Sequence, residues 1–164
     1  MKRKIINDPV FGFINIPNDF LYDIIQHRYF QRLNRIKQLG LSSFVYPGAQ
    51  HTRMLHSLGA MHLMGEAIAQ LRLTGQNISA TEEDAARACM LLHDIGHGPF
   101  SHTLENSIVQ GTSHEDISLW MMQRINDDSM AGSKQPCRFS PISIRNIFCI
   151  NSLPASWIWT GSTT

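Results

Sequence analysis

Ser79-Ala80-Thr81-Glu82-Glu83-Asp84-Ala85-Ala86-Arg87-Ala88-Cys89-Met90-Leu91-Leu92-His93-Asp94-Ile95-Gly96-His97-Gly98-Pro99 reads as one helix together with its end. Ser79 and Glu82 have capping-box spacing, and the acidic residues of the first turn face the positive end of the helix dipole. Ala85, Ala88, Met90, Leu91 and Leu92 supply its apolar residues, and Gly96, Gly98 and Pro99 break it. Neighbouring stretches follow the same logic. Asn18-Asp19 after Pro17 starts a helix with Phe20, Leu21, Ile24 and Ile25 on one face. Residues 29–40 read as a second helix, with Phe30, Leu33, Ile36 and Leu39 spaced at three and Gly40 ending it. Val45-Tyr46-Pro47-Gly48 reads as a turn, and His56-Ser57-Leu58-Gly59 opens a long helix through Leu63, Ala67 and Leu71. Further helices are expected from about Ser101 to Val109 and from His114 to Asn126. Residues 3–16 suit a short, irregular strand pair around Asp8-Pro9 and Phe11-Gly12. The expected fold is an all-α helical bundle with that strand pair at its N-terminal end.

At 164 residues the chain is about one domain long. Its net charge of +1 offers no global field to attract nucleic acid or membrane, and no basic stripe with interleaved aromatics supports nucleic-acid binding. Three cysteines without motif spacing exclude a disulfide framework or a Cys-rich zinc module. No run approaches the roughly 18 apolar residues of a membrane span, and the charged start lacks the apolar core of a signal peptide. A cytoplasmic protein is expected.

Composition shifts near residue 129. No acidic residue follows Asp128, and the basic residues beyond it are Lys134, Arg138 and Arg145. The segment 129–164 is too apolar for a linker, yet shows neither helical nor strand periodicity. It reads as sequence not selected to fold, appended to a domain at 1–128.

Histidine carries the chemistry. The stretch from His93 to His102 places His93, Asp94, His97 and His102 on a glycine-rich bend, where backbone can approach a ligand closely. Imidazole nitrogen and carboxylate oxygen together suit Zn, Mn, Fe, Ni or Mg rather than a thiolate site. Upstream, His56 offers a further ligand, and Arg53 a guanidinium able to grip phosphate. His114-Glu115-Asp116 adds a histidine at a helix N-terminus. His27 and His62 match no motif and read as fillers, and Cys89 as a small core residue. His51 suits a structural turn or substrate contact equally.

Phe30-Gln31-Arg32-Leu33, Arg35-Ile36-Lys37-Gln38-Leu39-Gly40, Tyr46-Pro47-Gly48-Ala49, Arg53 with His56-Ser57-Leu58-Gly59, and Leu92 through His102 together resemble the HD-domain phosphohydrolases. The dGTPase and dNTP triphosphohydrolase branch is the nearest in pattern, over roughly residues 5–127. The resemblance implies a divalent metal held by ligands in the order His, His-Asp, Asp, of which His56, His93 and Asp94 are the first three. It implies phosphate contacts from Arg53 and His97, and a general acid at His102 supported by Glu105. It also implies a further phosphate partner at His114, and Gln38 and Leu39 lining the nucleoside pocket. The activity implied is hydrolysis of dGTP or another dNTP at the α-phosphorus, giving deoxynucleoside and triphosphate, in an intact parent that is homo-oligomeric. Two alternatives are an HD phosphohydrolase for another nucleotide phosphate and a catalytically dead nucleotide-binding fragment.

The fourth ligand of the pattern lies in a motif resembling Ser-Gln-Leu-Asp-Met-Asp-Arg-Leu-Asp-Tyr, which this chain lacks. Codon arithmetic on the tail recovers it. Read from the third base of each codon, Trp157 followed by Ile158 gives Asp by necessity, as does Trp159 followed by Thr160. With permitted codons the remaining residues of the motif fall into place around them. The tail is therefore expected to be a frameshifted reading of the family's own gene, leaving a truncated bundle that is not a competent enzyme.

Overall fold

The structure, a computed structural model, describes residues 4–100 and 113–132, with side chains in the second segment as far as Asp128. The expected helix at 101–109, His102, Glu105 and the segment 133–164 lie outside the described residues. Strands β1 (Lys4–Asp8) and β2 (Gly12–Ile16) form an antiparallel hairpin, with Ile6 opposite Ile14 and Asp8 opposite Gly12. The Asp8 carboxylate closes the turn by accepting from the backbone N–H groups of Val10 (2.8 Å) and Phe11 (2.9 Å). Gly12 takes the left-handed conformation there, at φ 69°.

Helix α1 (Asp19–Gln26) is capped by Asn18, as its sequence predicts, and buries Leu21, Ile24 and Ile25. The helix expected over 29–40 is replaced by three different pieces. Helix α2 (Arg28–Gln31) passes into a 3-10 turn (Arg32–Arg35), and Ile36 is already extended. Tertiary pairing overrides the local propensity. Ile36 accepts from the Arg53 N–H at 2.8 Å, Gln38 N–H donates to the His51 carbonyl at 3.1 Å, and Lys37 bridges Thr52. The apolar spacing still seats Phe30, Leu33 and Ile36 in the core, while Leu39 is half exposed at 48%. Helix α3 (Ser42–Val45) takes in Val45, the first residue of the expected turn.

Helix α4 (Arg53–Leu73) begins three residues before the expected start, because Thr52 accepts from Leu55 N–H and caps it. Helix α5 (Ala80–Leu92) has the capping box that Ser79 and Glu82 announce. Helix α6 (His114–Gly132) runs beyond the expected end. Its start is another reciprocal cap, in which Ser113 Oγ accepts from Asp116 N–H and Asp116 Oδ2 from Ser113 N–H. The core draws Leu58 and Met61 from α4, Ala88, Leu91 and Leu92 from α5, and Met122 and Ile125 from α6 onto α1 and the hairpin. Gly65 of α4 leaves room for the Arg87 guanidinium of α5, itself held by Glu83. Among the described residues no helix is long and apolar enough to cross a membrane.

Candidate metal centre

Two helix ends make the site. Arg53 and His56 lie in the first turn of α4, three residues apart and therefore on one face. His93 is the C-cap of α5, and Asp94 follows on the bend. Nitrogen and oxygen atoms of His56, His93 and Asp94 all lie within 4.8 Å of one another. The His56 and His93 Nε2 atoms are 3.1 Å apart, and Asp94 Oδ1 is 3.5 Å from His93 Nε2.

Arrangement around these atoms explains their orientation. His93 Nδ1 sits 2.7 Å from the Met90 carbonyl. A carbonyl can only accept, so Nδ1 carries the proton and Nε2 presents its lone pair to the cluster. Such backing is the usual way a metal-binding imidazole is fixed. Asp94 is held from the other side, with Arg53 Nη1 donating to its Oδ2 at 2.6 Å. Burial disfavours the charged Asp94 carboxylate. The charges of His93, Arg53 and His97 and the Arg53 hydrogen bond outweigh that cost and hold its pKa below the usual value. The His56 pKa is also lowered, by burial first and then by His93, Arg53 and His51, against the opposing pull of Asp94. A neutral imidazole at physiological pH is the form that ligates.

A divalent cation fits this donor set. Ligand bonds of about 2.1 Å meeting near a right angle place two nitrogens about 3.0 Å apart, close to the observed separation. Two imidazoles and a carboxylate suit borderline and harder divalent ions, leaving several metals open. Cys89 does not compete, because burial pushes its thiol up to about 11.

His97 is buried on the bend, with Nε2 3.5 Å from Asp94 Oδ1, and its ring stacks on that of His114 at 4.4 Å between centroids and 15° between planes. Gln38 is half-buried on the segment paired with the residues leading into Arg53. Its Oε1 is buried without a hydrogen-bond partner among the described residues. Arg53, His56, His93, Asp94, His97 and His114 are thus brought into one neighbourhood.

Sequence reasoning missed Ser118, whose buried Oγ accepts from Gly96 N–H and donates to the His114 carbonyl, both at 2.9 Å. Its position four residues after His114 is the only signal a sequence could offer. Gly96 has no room for a side chain, because a Cβ there would run into the His114 carbonyl and Ser118.

Residues 53–134 match the HD domain family. The chain belongs to that family. A deoxynucleoside triphosphate triphosphohydrolase SAMHD1 homolog of Dictyostelium discoideum is 43% identical over 132 residues, 76% of this HD-domain chain and 26% of the relative. A crystal structure of a phosphohydrolase from Bacteroides thetaiotaomicron superposes with a TM-score of 0.75 at 66% identity, covering 80% of this chain and 32% of that one. A hypothetical protein from Aquifex aeolicus gives a TM-score of 0.68 at 32% identity, over 91% and 37% of the two chains. This HD-domain chain spans about a quarter of the length of the curated relatives it matches.

Proposed function

We propose that this chain is the N-terminal part of a cytoplasmic, metal-dependent dNTP triphosphohydrolase, with dGTP as the leading substrate. The observation carrying the reading is the His56–His93–Asp94 cluster, oriented by Met90 and Arg53, in a chain whose relatives include named dNTP triphosphohydrolases. A bound divalent cation would neutralise phosphate charge and lower the pKa of water near it. Arg53, fixed by Asp94, places a permanent cation where the triphosphate would lie, and His97 and His114 add stacked imidazoles beside it. His102, supported by Glu105, would give its proton to the departing deoxynucleoside oxygen. Gln38 and Leu39 would line the nucleoside pocket. The intact parent is proposed to be a homo-oligomer.

The domain is assigned to residues 1–128, and the tail to a shifted reading frame. The fourth, acidic ligand of the resemblance has no counterpart after Asp128, which favours a second reading: the chain as written binds nucleotide and metal without turnover. One experiment tests both, since triphosphate from the chain as written would sink the second reading. The source DNA is sequenced across codons 120–164 and beyond, and both the chain as written and a frame-restored chain are incubated with dGTP and a divalent metal. The triphosphohydrolase reading expects triphosphate only from the restored chain, abolished by His56→Ala or Asp94→Asn. A restored chain that binds metal and releases no triphosphate from any dNTP would sink it.

A further inference from the structure

We infer that Arg32 is a positioning residue for the metal ligands, acting through the backbone of the bend that carries them; this rests on the metal-site reading above. Arg32 opens the 3-10 turn, and its Nη2 donates to the carbonyl oxygen of Ile95, the residue after Asp94. The same nitrogen lies 3.5 Å from Met121 Sδ of α6. Asp94, Ile95 and His97 are all buried, so the polar backbone of the bend has little access to water.

Tracing those groups shows what Arg32 supplies. Ile95 N–H donates to the Leu92 carbonyl and His97 N–H to that of Asp94, both at 3.1 Å. The Met90 carbonyl is taken by the His93 ring, and Gly96 N–H by Ser118. The Ile95 carbonyl takes its hydrogen bond from the charged guanidinium of a distant part of the chain. A cation at the C-terminal end of α5 also matches the sign of the helix dipole. Asp94 is therefore held from two directions, its carboxylate by Arg53 and, one residue further on, the Ile95–Gly96 peptide by Arg32 at its carbonyl and Ser118 at its N–H. Without Arg32 that peptide would be held at its N–H alone, and the bend could shift to carry Asp94 and the His93 ring away from His56.

The test uses Co²⁺ alone as probe, on the full chain, well below its unfolding midpoint. Visible absorption reports the ligand set and titration gives affinity. Arg32→Met is expected to weaken Co²⁺ binding by about 10–100-fold and to alter the band shape, the range typical of residues that orient metal ligands. Arg32→Lys, which keeps a charged donor of similar reach, is expected to recover most of the affinity. If Arg32→Met does not fold, Arg32→Gln takes its place with the same expected direction. A folded Arg32→Met or Arg32→Gln variant with wild-type affinity and spectrum but a lowered melting temperature would make Arg32 a brace only and overturn the inference. Failure of the wild-type chain itself to bind Co²⁺ would instead overturn the metal-site reading and this inference with it.

Discussion

Arg53 Nη1 and Asp94 Oδ2 meet at 2.6 Å, with the two side chains only 4% and 10% exposed. The pair joins the first turn of α4 to the bend after α5, so each member holds the other's helix end in register. Removing one partner from a buried pair leaves the other's charge unpaired, at about 3–5 kcal/mol. Arg53→Met is expected to lose stability of that order in the metal-free protein, measured by urea unfolding. Saturating divalent metal should restore part of it, because a cation would replace the lost charge beside Asp94.

Metal affinity should depend on pH through His56. Its pKa is lowered in the folded chain, by burial first and by neighbouring positive charges next. The unfolded state therefore binds more protons near the ordinary histidine pKa of about 6.5. The resulting stabilisation is fully present above that value and is lost as pH falls toward the lower folded value. Affinity for Mn²⁺ should follow the same sign, with its midpoint below that of an ordinary histidine. Titrations between about pH 5 and 8 check this; a midpoint above the ordinary histidine value of about 6.5 would contradict it.

Gly96→Ala should be far more damaging than an exposed glycine replacement. The added methyl would press on the His114 carbonyl and Ser118 at the start of α6, where backbone cannot yield as a flexible side chain would. Overpacking of this kind costs about 1–3 kcal/mol. A drop in melting temperature with weakened metal binding is expected, while Gly48→Ala, with open space around its Cβ, should change neither.

Ser118→Ala removes the hydroxyl that links the same two segments, leaving the buried Gly96 N–H without its acceptor. A buried donor stranded in this way costs about 1–3 kcal/mol. Chemical denaturation should show that loss, and amide exchange at Gly96 should accelerate more than exchange in the middle of α5.

Much of this architecture is written locally. The Ser79–Glu82 capping box, the Asn18 cap, and the strands on either side of Asp8-Pro9 are short-range patterns, and each reappears in three dimensions. The same holds for the metal candidates. His93 and Asp94 adjoin the glycine break that ends their helix, and Arg53 and His56 share a helical turn, so their residue types and spacing already mark them.

Residues 29–40 mark the limit of that legibility. Their threefold apolar spacing suits a helix, but Ile36, Lys37 and Gln38 pair with His51, Thr52 and Arg53, and a backbone donor or acceptor committed across the chain is unavailable to a helix. Arg32 and Ser118 escape sequence reasoning for a related reason. Each acts on one backbone group of the bend, Arg32 from 63 residues away and Ser118 from 22. Nothing in the side chain of Ile95 or Gly96 advertises which polar group will need a partner. Local patterns settle the caps at Asn18 and Ser79 and which side chains can bind a metal. The assembly of two helix ends into one site, and the groups that hold it, is settled only when distant segments pack and every buried polar group must find a partner.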